Sequence, residues 1–331
     1  MAFTFFGEVM MRLTPSVPSQ KLCCAQQFDV TYAGAEANVA SSLAKLGHTT
    51  QFVTALPPNE LGDGAVASLN SYGIDTTQIK RTGNRVGSYL IELGASIRPS
   101  KVVYDRAHSA ISEIAPNEFD WHDILKNSQW LHLSGITPAL SKQCAAETIK
   151  AAEIAQSLGV KVSFDMNFRR TLWQDVNSAK QIFTQLLKLS TLAHGNVGVI
   201  SDVFGLNFDT QDSLNAALTL QDMFDLQSVA FTQRQHQSAS INTLSGIFID
   251  AQQQVKSDTY TVEIVDRFGS GDAFAAAILH GKQHNWSAQN TVDFGSAAFA
   301  LKHTIKGDQH TSSEDDIQSI AKGNTSGHVI R

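Results

Sequence analysis

The chain has 331 residues, 42% hydrophobic and 17% charged, which is enough apolar material for one large α/β domain or two smaller ones and excludes a disordered polypeptide. Its 25 basic and 31 acidic side chains leave a net charge of −6, which argues against nucleic acid or an anionic membrane as the main partner. No run reaches the length of a transmembrane helix, and the opening MAFTFFGEVMMRL lacks the basic start and small-residue cleavage site of a signal peptide. Cys23, Cys24 and Cys144 do not suit a disulfide framework, no metal-ligand spacing with histidine is expected, and a reducing, cytoplasmic setting is expected.

Residues 3–7 read as a first strand that 8–14 extend. Residues 12–33 have little helical period, two prolines and the β-prone FDVTY, and are expected as strands and turns apart from the core. Small and apolar residues then recur at helical spacing through AGAEANVASSLAKLG (33–47), with Gly47 placed to end the helix. Gly34 allows a ligand near the backbone at the helix start, and Asn38 faces either solvent or that ligand. A strand over 49–56 and a helix over 61–72 follow.

From about 80 to 112 the pattern changes: VGSYLIEL and KVVYDRA alternate as antiparallel strands, with Gly94 and Pro99 as turn material. With 12–33 they predict a small β lid, whose exposed edges make a homodimer plausible. Strands at 129–133, 160–165 and 228–232, a β-prone 238–250, and helices at 141–158, 175–189, 213–224, 288–303 and 313–321 complete the rhythm. It predicts a mostly parallel sheet covered on both faces. The expected division is a core of 1–11, 34–80 and 113–331 and a lid of 12–33 and 81–112.

Chemistry concentrates in VDRFGSGDAFAAAILHG (265–281). An apolar run over 260–265 meets Gly269-Ser270-Gly271-Asp272, and a helix is expected from Ala273. Glycine-rich backbone at a helix N-terminus is an anion site suited to phosphoryl transfer. Asp272 there reads either as an N-cap or as the base for an attacking hydroxyl, with an ordinary carboxylate pKa of about 3.9. Arg106 ends a lid strand, and Arg169 and Arg170 follow the carboxyl end of a core strand, where open parallel sheets bind ligands. Arg106 and Arg169 either pair with Asp105 and Asp165 or grip a carboxylate together. Trp173 reads as a packing residue.

These residues resemble the ribokinase-like, or PfkB, family of sugar kinases. AGAEANVASSLAKLG (33–47) is similar to that family's N-terminal signature and DRFGSGDAFAAAILHG (266–281) to its C-terminal D-T-x-G-A-G-D block. The resemblance implies a three-layer α/β core with a mostly parallel sheet plus a small β-sheet lid. It is nearest to the branch acting on 2-keto-3-deoxygluconate, through VGSYLIELGASIRPSKVVYDRAHSAIS (86–112), DMNFRRTLW (165–173), IVDRFGSGDAF (264–274) and LKHTIKGD (301–308).

By that resemblance Gly34, Asn38, Tyr89, Tyr104, Arg106 and Arg169 hold a sugar acid, the two arginines meeting its carboxylate. Asp272 is the base, Gly269, Ser270 and Gly271 form the anion hole, and Asn196, Thr232, Arg234, Gly269 and Gly271 meet the nucleotide. ATP with Mg²⁺ is implied, with K⁺ as a further candidate ion. Three positions depart from the pattern. Arg267 and Phe268 replace a threonine and its neighbour, Asn196-Val197-Gly198-Val199 lacks the glutamate of the Asn-x-x-Glu motif, and FTQRQHQSASIN (231–242) stands where a glycine-rich nucleotide loop is expected. The implied reaction is in-line transfer of the ATP γ-phosphoryl group to the sugar acid's terminal hydroxyl. A kinase of a neutral ketose such as fructose and a sensor that binds without turnover are the alternatives.

Overall fold

Two sheets hold the strands of the computed structural model, which describes residues 2–209 and 212–327; the rest of the expected core range lies outside the described residues. Strand β1 (Phe3–Phe6) joins the large sheet, and β2 (Met10–Pro15) and β3 (Phe28–Ala33) the small one. Helix α1 (Ala35–Lys45), β4 (Thr50–Leu56), α2 (Glu60–Ser71) and β5 (Ile79–Arg81) return to the large sheet, and β6 (Ser88–Glu92) and β7 (Lys101–Asp105) complete the small one. Next come α3 (Trp121–Leu125), β8 (Trp130–Ser134), α4 (Lys142–Ser157), β9 (Lys161–Asp165), α5 (Val176–Lys188) and β10 (Leu192–Gly195). The chain continues through α6 (Val197–Phe204), α7 (Ser213–Phe224), β11 (Ser228–His236), β12 (Ile241–Asp250), β13 (Gln254–Lys256) and β14 (Tyr260–Glu263), and closes with α8 (Ser270–Gln283), α9 (Ala288–Lys302) and α10 (Glu314–Ala321).

The large sheet runs β13-β12-β11-β10-β9-β8-β1-β4-β5 and is parallel from β11 to β5, with β14 also on β12. Parallel neighbours need crossover connections, and the helices between them cover both faces. β1 shows the consequence: Phe3 and Phe5 enter the apolar cluster that includes residues of α1, α2, α8 and α9, and Phe6 enters the cluster that includes residues of α3 to α7. The small sheet runs β3-β2-β6-β7 and stands apart from the large one. Among the described residues no helix is long and apolar enough to cross a membrane.

Four expectations change. The small sheet begins at Met10 rather than residue 12, because β2 pairs with β3 from Met10 opposite Ala33 onward, and the residues after Phe6 leave β1 instead of extending it. The run over 260–265 is a strand only as far as Glu263, β14, which pairs antiparallel with β12. The stretch 231–242 is a hairpin rather than a loop, since its alternating, glycine-free residues keep β11 in the ladder to His236 opposite Asn242. Helix α8 starts at Ser270, three residues before the expected Ala273.

Candidate active site

Most helices start on a side-chain cap: Asn59, Ser141, Asp175, Asn196, Ser287 and Ser313 each accept an N–H of the first turn. Helices α1 and α8 start on Gly34 and Gly269 with no side-chain cap, and both open on one cleft of about 560 Å³. The loop after β8, the carboxyl ends of β9 and β10, strand β11 and the small sheet supply its other walls. Gly34, Asn38, Tyr89, Tyr104, Arg106, Arg169, Asn196, Thr232, Arg234, Gly269, Ser270, Gly271 and Asp272 all line it. Residues from both ends of the chain and from the inserted strands thus share a single cavity, as expected beyond the carboxyl ends of parallel strands.

The glycines are there for different reasons. A Cβ on Gly34 would lie 1.9 Å from the Glu8 carbonyl oxygen, so this glycine serves the close passage of two chain segments rather than ligand approach. Gly269 has φ +74° and its Cβ would lie 1.8 Å from the Asp308 carbonyl oxygen, so both the turn and its contact require glycine. A Cβ on Gly271 would meet open space, so the free chain makes no packing demand for glycine at this point in the cleft.

Asp272 is the third residue of α8, not its N-cap, which removes the capping alternative. Its carboxylate accepts a 2.7 Å hydrogen bond from Asn38 Nδ2, and Asn38 is buried rather than solvent-facing. Burial lifts the Asp272 carboxyl to about 8, opposed by the Asn38 donor and reinforced by Asp165 and Asp308. The expected ordinary carboxylate value is therefore corrected. Burial also raises Asp165 to about 6; its Oδ1 accepts the Asn167 N–H at 3.0 Å, and it makes no ion pair with Arg169 among the described residues. Arg169 is exposed and donates to the Phe168 carbonyl at 3.3 Å.

Arg106 pairs with Glu8, not with Asp105, whose partner is Arg85. Glu8 also accepts from Ser109 Oγ at 2.6 Å, and the Arg106 guanidinium lies 5.6 Å from the Tyr104 ring centre. The buried Nε of Arg106 has no hydrogen-bond partner. A donor held in that condition has a strong preference for an acceptor.

A second buried cation was not singled out from the sequence. Arg12 on β2 pairs with Asp266 and Asp308, and Tyr89 Oη donates to Asp308 at 3.0 Å. Burial draws the guanidinium pKa down, but the Asp308 and Asp266 carboxylates push it up further and keep it charged. Asp266 also accepts the Phe268 and Gly307 N–H groups at 3.1 and 3.0 Å. The small sheet is thereby tied to the turn that carries Gly269. Glu8 and Glu36 were missed as well. Glu36 accepts from Ser134 Oγ at 2.7 Å and Thr137 Oγ1 at 2.8 Å, and its carboxylate fills the space where a Gly7 Cβ would stand. The available signal was their place in short glycine-containing runs, Gly7-Glu8 and Gly34-Ala35-Glu36.

The β11 wall differs. Arg234 Nη2 donates to Ser270 Oγ at 3.0 Å, and its guanidinium lies 5.2 Å from the Phe299 ring centre. Burial, and then repulsion from Arg267, lowers its pKa to about 9; burial lowers Arg267 too. Neither has an ion-pair partner among the described residues, so positive charge collects beside the open start of α8. Asn196 Oδ1 accepts the Val199 N–H at 3.1 Å, so this side chain caps α6, in the segment where the glutamate is absent.

A family model for the pfkB family carbohydrate kinase matches residues 3–315. The chain is 29% identical to 2-dehydro-3-deoxygalactonokinase of Haloferax volcanii over 324 residues, 97% of each chain. It is 40% identical to the crystal structure of 2-dehydro-3-deoxygluconokinase from Thermotoga maritima, covering 98% of this chain and 100% of that one with a TM-score of 0.94. A protein of Escherichia coli described as a ribokinase II, solved with ATP and Mg²⁺, shares the fold at a TM-score of 0.83 and 20% identity over 97% of this chain and 99% of that one. With a cleft of this build and a match over nearly its whole length, the chain belongs to the pfkB family of carbohydrate kinases.

Proposed function

We propose that this kinase transfers the γ-phosphoryl group of ATP to the terminal (C6) hydroxyl of 2-keto-3-deoxygluconate. One observation carries the reading. Asp272, at the uncapped start of α8, shares a cleft with the guanidinium groups of Arg106 and Arg169, which among the described residues leave the Arg106 Nε without a hydrogen-bond partner and Arg169 without a carboxylate. A hydroxyl substrate with an acidic far end suits both features. The names of the Thermotoga and Haloferax relatives, a gluconate and a galactonate of the same 2-dehydro-3-deoxy type, agree with such a substrate.

In the proposed step the hydroxyl oxygen bonds to the γ-phosphorus as the bond to the β,γ-bridging oxygen breaks. ADP leaves with that electron pair and Asp272 takes the hydroxyl proton. Its raised pKa suits a base working near neutrality better than an ordinary carboxylate would. The free N–H groups of the first turn of α8, with Arg234 and Arg267, offer donors and positive potential to the phosphoryl charge. Mg²⁺ fits as an ion carried by the nucleotide, because the motif glutamate is absent and Asn196 is engaged as a cap; Asp165, which like Asp272 has no ion pair among the described residues, would be the carboxylate left to hold it once Asp272 serves as base. When bound, it would neutralise phosphate charge.

The test is ADP release with 2-keto-3-deoxygluconate, its galactonate epimer and fructose across a range of Mg²⁺. The acids should be preferred, and Arg169→Ala should raise KM for them by about 10- to 100-fold, the loss expected of a charged hydrogen bond. Fructose turned over faster than either acid, with KM untouched by Arg106→Ala and Arg169→Ala, would make this a ketose kinase. Sugar-acid binding with no ADP formed at any Mg²⁺ level would make it a sensor, the reading favoured by Val199 in place of glutamate.

A further inference from the structure

Away from the cleft, three histidines meet beside the carboxyl ends of α1 and α8. His48 follows α1, and His280 and His284 stand four residues apart at the end of α8, so both rings lie on one face of that helix. This spacing is visible in the sequence as His280-Gly281-Lys282-Gln283-His284, against the expectation of no metal-ligand spacing with histidine. One ring nitrogen from each of the three lies within 4.8 Å of the others.

His48 Nε2 and His280 Nδ1 are already 2.8 Å apart. His280 is fully buried, and its Nε2 has no hydrogen-bond partner and stands 3.6 Å from Glu314 Oε2 at the start of α10.

We propose that His48, His280 and His284 form a binding site for a transition-metal dication of the Zn²⁺ class. His280 Nδ1 ligates and its Nε2–H turns to Glu314, while a solvent ligand completes the coordination beside exposed His284. The arrangement matches metal-bound histidine, whose second ring nitrogen is usually oriented by a carboxylate. The proposal also gives the orphaned Nε2 of His280 its purpose, which aromatic packing against Trp286 and Phe294 alone does not. Tetrahedral Zn–N bonds of about 2.0–2.1 Å need nitrogens roughly 3.4 Å apart, so the hydrogen-bonded pair of His48 and His280, now 2.8 Å apart, would open slightly while the exposed ring of His284 shifts to complete the set.

An all-imidazole ligand set selects against Mg²⁺ and Ca²⁺, which take oxygen ligands. Helices α1 and α8 pack on each other, and their other ends open on the cleft. An ion here would therefore tie together the far ends of the two helices that frame the active site.

The experiment uses chelator-washed, tag-free protein carrying Cys23→Ser and Cys24→Ser, which remove the exposed thiol pair as a competing ligand. Zn²⁺ is titrated against a chromophoric chelator while thermal unfolding is followed. One equivalent should bind in the micromolar range or tighter, raise Tm and resist competition by millimolar Mg²⁺. His284→Ala, an exposed change that keeps the fold, should weaken binding by at least about tenfold, and Glu314→Gln should weaken it less. Absence of stoichiometric Zn²⁺ binding, or binding that His284→Ala leaves unchanged, overturns the site.

Discussion

The two sides of the cleft treat buried charge in opposite ways. Toward α1 and the small sheet, charges are matched within the fold: Arg106 meets Glu8 and Arg12 meets Asp266 and Asp308, while the neutral Asn38 amide fixes Asp272 in place. On the opposite side, Arg234 on β11 and Arg267 in the turn before α8 face the cleft with no carboxylate partner among the described residues, and burial depresses both. An ion pair made within the fold fixes geometry before a ligand arrives. Unpaired guanidinium groups beside an uncapped helix start instead leave electrostatic energy that only an incoming anion can recover. One side is built to position and the other to attract.

The largest break in this contrast should come from Asp272→Asn. The positioning side survives, because an amide can still accept from Asn38, but the proton acceptor is gone. Turnover should fall by about 10²–10⁴-fold, the usual contribution of general base catalysis, with KM for the sugar acid nearly unchanged. In the unaltered enzyme kcat/KM should rise with pH toward a plateau above about 8, where Asp272 is ionised in the free protein. Near-normal turnover by the variant, measured by ADP release, would remove Asp272 from the reaction.

Arg12→Met tests the matched side as a structural device. It strands Asp266 and Asp308 in the interior, and removal of one partner from a buried ion pair costs about 3–5 kcal/mol. Denaturant unfolding should show that loss, and residual activity should report a displaced Gly269 turn. A double Asp266→Asn and Asp308→Asn change on top of Arg12→Met should recover part of the stability. If the single variant unfolds like the parent, the network is not what holds the small sheet to the turn.

The attracting side is probed by Arg267→Met. Loss of one phosphate-facing cation should raise KM for ATP by roughly tenfold, the low end for a charged hydrogen bond, while KM for the sugar acid stays put. Added salt should weaken nucleotide binding in the parent more than in the variant. Equal changes in both KM values would erase the distinction between the two sides.

Legibility from sequence followed the same division. The alternation of strands and helices gave the parallel sheet because each apolar run was bounded by turn residues, and the small sheet stood out by its period of two. The residues that line the cleft could be named because they sit in short motifs around Gly34, Arg106, Arg169 and Gly269. Arg12, Glu8, Asp266 and Asp308 were not assigned roles because their partners are distant in the chain: Arg12 and Asp308 are 296 positions apart. Hairpin β11–β12 was misread because missing glycines were treated as a damaged loop, when they meant a continued ladder. The pKa of Asp272 was out of reach for a different reason, since desolvation depends on everything packed around α8.

That last quantity gives the finest test of the positioning side, through stability rather than rate. In the folded protein the Asp272 carboxyl titrates near 8, and in the unfolded chain near the ordinary 3.8. Between those values the folded state holds a proton that the unfolded state has lost. This group's contribution to stability therefore declines as pH rises from about 4 to about 8 and is level beyond. Asp272→Asn removes the titration, so the variant should gain on the parent as pH rises. The variant's Tm relative to the parent should climb by several degrees between pH 5 and pH 8.5, for a stability change of about 4 kcal/mol. A Tm difference that stays constant across this range would mean that Asp272 is already ionised at pH 5 in the free enzyme, and the base would then be positioned by Asn38 without being tuned by burial.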